Sequence, residues 1–232
     1  MSRQHQLRHS SRPAGVRRHN SATVPVTIRD RRPVAGFRHR GWQTTGTKLE
    51  DFNAPEQWHP TCESGHARYI VQPAGEGFRH AVTAEEVRNR LSQLDERFTR
   101  QLEVVQLSGM TRKRQLFPLY GMQWGTAVYL YPIEESLVEV YPRPPAPQQE
   151  IEARMYGGRW SYDGKLWRLT WTEATIKDFY LNNVLIHEIG HLNDHRNSNS
   201  RDRERYANWF AIEYGYRATQ RTRQRAPIHS AR

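Results

Sequence analysis

From Ile176 to Leu192 the chain carries apolar residues around most of a helical cylinder: Ile176, Phe179, Tyr180, Val184, Ile186, Ile189 and Leu192. Upstream runs alternate with a period of two, whereas here the period is about 3.6, so "TWTEATIKDFYLNNVLIHEIGHLNDH" is predicted to be helical. A helix with so little polar circumference has to be buried, and the rest of the chain must cover it. Thr170, with Glu173 three residues on, supplies a capping box for its start.

The covering elements read as follows. "TAEEVRNRLSQLDERF" opens on a capping box, Thr83 with Glu86, and carries Val87, Leu91 and Leu94 as a helical stripe. "QLEVVQLSG", "GTAVYLYP" and "SLVEVYPRP" are β-rich runs, each ended by Gly or Pro. "GGRWSYDGKLWRLTW" reads as a hairpin in which Asp163-Gly164 supplies the positive φ angles of a tight turn. After the buried helix, the polar loop "RNSNS" leads into a last helix, "SRDRERYANWFAIEYGYRATQ". Helix, β-rich middle, then two helices is an α+β pattern.

The net charge of +11 suggests nucleic acid until it is located. Residues 1–40 hold ten arginines and one acid, Asp30, while residues 215–232 hold five arginines and no acid, which leaves −3 for residues 41–214. The positive charge therefore belongs to the ends. Residues 1–60 read as a basic, mostly disordered tail and linker, 65–220 as the folded domain and 221–232 as a second basic tail. Such tails make weak, nonspecific contact with nucleic acid or anionic surfaces, but no recognition helix, zinc finger or stacking motif accompanies them. No apolar run approaches the roughly 20 residues of a transmembrane segment. No secretory h-region is present, and only Leu7 and Val16 offer an apolar face to an organelle leader. With one cysteine, Cys62, a disulfide framework is excluded, and a cytoplasmic protein is expected.

Within the buried helix, His187, Glu188 and His191 satisfy H-E-x-x-H. Side chains at i and i+4 share a face, so both imidazoles can reach one metal ion at about 2 Å. Glu188, about 100° round the helix, is offset from the metal and suits proton transfer from a water that the metal acidifies. With 11 histidines in the chain the motif arises by chance in roughly one such sequence in 27, so context decides. Two histidines and a glutamate inside a buried helix are costly without a partner, which favours a metal site over core histidines.

A catalytic zinc takes three protein ligands. Asp194, His195 and Glu204 are the candidates for the third. Three ligands on one straight helix are spread by its 5.4 Å pitch, so a ligand from the next helix closes a tetrahedron better, which favours Glu204. Asn208 shares a face with Glu204, and its carbonyl is placed to accept the outer N–H of a ligating imidazole. Ala207 and Ala211 permit close approach of the two helices.

"HEIGHL" followed by "ERYANWFA" resembles the ImmA/IrrE-like bacterial metallopeptidases, whose H-E-x-x-H helix precedes a helix bearing E-x-x-A-N-x-F-A. It is similar more widely to gluzincins, in which a glutamate on a following helix is the third zinc ligand. The resemblance spans Ile186 to Ala211. It implies a zincin-like α+β domain holding one zinc ion per chain through His187, His191 and Glu204. Glu188 would then be general base and acid for hydrolysis of a peptide bond in a peptide or a specific protein substrate. The metzincin pattern fails, because Asp194 and Asn197 stand where it requires a glycine and a ligand.

Other features carry less. Tyr206, Tyr214, Tyr216 and His195 are candidates for stabilising a developing oxyanion. "GTAVYLYP" is a candidate edge strand for holding an extended peptide. His59, Cys62 and His66 form a loose ligand-like cluster. Two other readings remain open: a non-catalytic protein that binds through its basic tails, and a zinc hydrolase of a non-peptide amide.

Overall fold

The computed structural model describes residues 54–59 and 66–225. Most of both basic tails, and Cys62, lie outside the described residues. Among the described residues no helix is long and apolar enough to cross a membrane.

A mixed four-stranded sheet orders β1 (Arg68–Val71), β3 (Val104–Leu107), β5 (Ala127–Leu130) and β4 (Gly121–Trp124). The first three run parallel, and β4 is antiparallel to β5 at the edge. β2 (Phe78–Arg79) pairs with β6 (Ile133–Glu134) in a short ribbon. β7 (Val138–Tyr141), β9 (Trp167–Thr170) and β8 (Arg159–Tyr162) form a second antiparallel sheet. The helices are α1 (Ala84–Leu91), α2 (Glu96–Thr99), α3 (Arg112–Leu116) and α4 (Pro147–Met155), followed by two long rods. The first rod joins α5 (Glu173–Phe179), a π-helical turn (Tyr180–Val184) and α6 (Leu185–Leu192). The second joins α7 (Ser200–Phe210), a π-helical stretch (Ala211–Arg217) and α8 (Ala218–Arg225). The fold is α+β, with the first rod at its centre.

The sequence patterns account for much of this. Thr83 and Glu86 form the predicted capping box on α1, Thr83 Oγ1 accepting from the Glu86 N–H at 3.2 Å. Strand alternation splits the large sheet into two faces. Val105, Leu107, Val128 and Leu130 join Phe179, Val184, Leu185, Ile186 and Ile189 of the first rod in the main core. Val104, Ala127, Tyr129 and Tyr131 form a smaller cluster on the other face. Residues 54–59, expected in the tail, meet this second face. Tyr129 Oη donates to the Gln57 carbonyl at 2.9 Å, Arg114 Nε pairs with Glu56 at 2.7 Å and His59 meets Gln106 Oε1 at 2.6 Å. Having no turn signal of its own, this stretch is legible only through its partners.

Three local expectations need correction. The central rod begins at Thr172, whose Oγ1 accepts from the Thr175 N–H at 3.2 Å, and not at Thr170. Thr170 is the last residue of β9, paired with both Val138 and Arg159, so sheet pairing outcompetes the cap. In the β8–β9 hairpin only Gly164 has positive φ, at 91°. Asp163 acts instead by accepting from the Lys165 and Leu166 N–H groups at 3.0 and 2.9 Å across a four-residue loop. Finally, "GTAVYLYP" is not an edge strand. Gly125 and Thr126 are the turn between β4 and β5, with Gly125 at φ 58°, and β5 lies inside the sheet. The edge is "GMQW".

Candidate metal centre

The two rods meet where a side chain is missing. A Cβ on Gly190 would lie 2.9 Å from Ala207 Cα and 3.0 Å from Phe210 Cβ. Glycine in the middle of α6 therefore lets α7 approach nearly backbone to backbone, at the expense of about 1 kcal/mol of helix propensity. Ala207 is fully buried at the crossing. Asn199 caps α7, its Oδ1 accepting from the Asp202 N–H at 2.9 Å, which fixes where the helix starts and so which residues face α6.

One turn from this crossing His187, His191 and Glu204 converge. Their ligand atoms all lie within 4.8 Å of one another, the one such cluster found among the described residues. His187 Nε2 and His191 Nε2 are 3.0 Å apart, and each is 3.5 Å from a Glu204 carboxylate oxygen. Ligands about 2.05 Å from a tetrahedral ion stand about 3.3 Å from each other. Glu204 Oε2 is buried with no hydrogen-bond partner. Two imidazole nitrogens and an unsatisfied carboxylate oxygen at tetrahedral edge lengths are a donor set that fits a zinc ion.

The other candidates for the third position go elsewhere. Asp194 is buried but faces its own loop, its Oδ1 accepting from the Arg196 and Asn197 N–H groups at 3.3 and 3.2 Å. It orders the turn between the rods. His195 is exposed. Asn208 lies on α7 and is half-buried, yet its side chain makes no hydrogen bond among the described residues, and His187 Nδ1 is buried without a partner. The Asn208–histidine hydrogen bond expected from the sequence is not formed. Tyr214 and Tyr216 pack among rings, Tyr214 4.5 Å from Phe210 and Tyr216 5.5 Å from Tyr156, while Tyr206 stands half-buried beneath Arg196. Of the cluster His59, Cys62 and His66, Cys62 lies outside the described residues.

Glu188 faces the sheet edge. A Cβ on Gly121 of β4 would lie 3.0 Å from Glu188 Oε1 and 2.7 Å from Val184 Cγ1, so only glycine leaves room for the carboxylate there. Burial pushes the Glu188 carboxyl up to about 7, and Glu204 adds to the rise, while His187 and the Gln123 backbone N–H oppose it. His187 is raised above its ordinary value: burial opposes its protonation, but Glu204, Glu188 and Glu152 outweigh it.

The sheet edge itself is defined by register. Tyr131 N–H donates to the Tyr120 carbonyl at 2.9 Å, and Gly121 lies opposite Leu130. Antiparallel pairs alternate, so Met122 and Trp124 also bond inward and the backbone of Gly121 and Gln123 points away from β5, where the Gln123 N–H acts on the Glu188 carboxylate.

Sequence spacing found His187, His191 and Glu188, because i,i+4 geometry is local, and the limited reach of one helix pointed to Glu204. It missed Gly190, Gly121 and Glu152, whose roles depend on what lies across from them. No family model, curated protein or solved structure matches the chain.

Proposed function

We propose that the protein is a zinc-dependent metallopeptidase of zincin type, related to the ImmA/IrrE-like enzymes that its "HEIGHL" and "ERYANWFA" segments resemble. The observation that carries this reading is the His187, His191 and Glu204 cluster, with ligand atoms within 4.8 Å, beside a buried glutamate and a strand, β4, that lies at the sheet edge among the described residues.

In this reading His187 Nε2, His191 Nε2 and a Glu204 oxygen hold one zinc ion. When bound, the ion supplies Lewis acidity, which makes water nucleophilic at neutral pH and polarises a carbonyl. The rest is done by the chain. The outward N–H and C=O of Gly121 and the C=O of Gln123 add a polypeptide as a further strand, which holds its scissile carbonyl beside Glu188. Glu188 accepts the proton from the attacking water and passes it to the departing amine. Gly121 leaves room for that carboxylate. A strand edge next to the general base favours a polypeptide over a small amide as substrate. The arginine-rich ends serve as weak anchors to anionic surfaces.

Glu188→Gln tests the assignment. The variant should bind zinc as the wild type does and lose peptide hydrolysis by at least about a thousandfold, measured with a quenched fluorogenic peptide library. Hydrolysis undiminished by the substitution would overturn the role of Glu188. A zinc-loaded wild type that cleaves no peptide or protein would sink the peptidase reading.

A further inference from the structure

A recess opens beside the metal centre, between α4 and the three-stranded sheet. Its walls are the rings of Tyr120, Tyr141, Trp160, Trp171 and Phe179, and α4 contributes Gln149 and Glu152. Three of these rings are pinned from behind. Tyr120 Oη, Tyr141 Oη and Trp171 Nε1 donate to the fully buried carboxylate of Glu139 at 2.5, 2.9 and 3.0 Å. Trp171 stacks on Phe179 with centroids 4.9 Å apart. Four of the five rings are thereby held in place. The recess encloses about 320 Å³, its open side toward solvent included, and admits water-sized groups.

The recess is next to the proposed chemistry. Tyr120 directly precedes Gly121, which faces Glu188. Phe179 lies eight residues before His187 on the same rod. Glu152 is close enough for its charge to act on His187.

Among the described residues, Glu152 is the one charged group lining the recess. Its carboxylate accepts from Gln148 Nε2 at 2.8 Å, has no ion pair among the described residues, and is pushed above the usual carboxylate range by burial. A partly desolvated carboxylate among aromatic faces favours a cation, which gains both Coulomb and cation–π attraction. An acidic side chain would be repelled by the Glu152 carboxylate. An apolar one would desolvate Glu152 without replacing its lost hydration.

We infer that this recess is a specificity subsite for a lysine side chain of the bound polypeptide, with the ammonium held by Glu152 and the aromatic rings. A lysine head group is compact, close to water in size, and enters on an unbranched apolar stem that suits ring walls. That the occupant belongs to a substrate rests on the peptidase reading; that the recess binds lysine does not.

The experiment has two arms. In the first, Nα-acetyl-lysine amide and its norleucine counterpart are titrated into the full-length Glu188→Gln protein, followed by tryptophan fluorescence and by NMR of the amide. The lysine probe should bind at least tenfold more tightly than norleucine, and Glu152→Gln should erase the difference. Trp160→Leu should weaken lysine binding without unfolding the protein, as checked by circular dichroism. Equal binding of the two probes, no binding of either, or an unchanged preference in Glu152→Gln overturns the assignment. In the second arm, a peptide library with one fixed residue at each position from three before to three after the scissile bond is offered to the zinc-loaded wild type. One position should prefer lysine at least tenfold, and Glu152→Gln should remove that preference while affecting a leucine-fixed peptide far less. Cleavage without any lysine preference overturns the subsite. Lysine binding in the first arm with no cleavage of any peptide supports the recess and rejects the peptidase reading alone.

Discussion

Gly190 of α6 and Ala207 of α7 touch so closely that a methyl group on the glycine would lie 2.9 Å from the alanine Cα. This contact sets how far Glu204 stands from His187 and His191, because all three project from the same two helices one turn away. Gly190→Ala should therefore separate the rods. We expect a loss of about 1–3 kcal/mol in denaturant unfolding of the zinc-free protein and a weakened zinc affinity on top of it. If stability falls but zinc affinity does not, the crossing is not what positions Glu204.

Gly121→Ala acts on the other side of the rod. Its new methyl would collide with Val184 and displace the Glu188 carboxylate while leaving the three convergent residues untouched. The expected result is full zinc occupancy, a destabilisation of about 1–3 kcal/mol, and a fall in kcat/KM of at least about a hundredfold. Activity retained in this variant would mean that Glu188 does not work from its position against β4.

The assignment of the third ligand separates two substitutions. Glu204→Gln should reduce zinc affinity by several orders of magnitude, since it replaces the one anionic ligand, whereas Asp194→Ala should keep the metal and only loosen the loop that its carboxylate orders. Competition with a chelating dye distinguishes the two. The opposite ranking would move the third ligand into the loop.

The π-helical stretches are joined by Arg90 of α1. Its Nε donates to Asn182 Oδ1 at 2.6 Å and its Nη2 to the Tyr214 carbonyl at 2.6 Å, while the Asn182 carbonyl fills the space a side chain on Gly215 would take. Arg90→Met removes both donors inside the core. A cost of about 2–4 kcal/mol in thermal or denaturant unfolding follows, because the two acceptors lose a charged partner. A change within about 0.5 kcal/mol would show that the π-helical pairing does not depend on this side chain.

How much of this was legible in the sequence depended on how local each signal was. The central rod was visible because its burial repeats every 3.6 residues, and Glu204 because ligand distances limit what one helix can supply. Strand order was not visible. "GTAVYLYP" and "GMQW" carry similar patterns, and only pairing decides that the second lies at the edge. β1 carries no strand signal in the sequence, since "RYIV" gains its strand character from β3 beside it. The cap at Thr170 was misplaced because the sheet also claims that residue. Glu152, 35 positions before His187, has no spacing that would connect them. Asn208 satisfied the helix geometry, but its amide does not reach His187 Nδ1.

The central claim is a zinc site at His187, His191 and Glu204, and elemental analysis of the purified protein beside His191→Ala tests it most directly. About one zinc per chain in the wild type, lost in the variant, is the predicted result. Wild-type protein that holds no metal even after zinc is supplied would contradict the account and reduce "HEIGH" to a pair of core histidines.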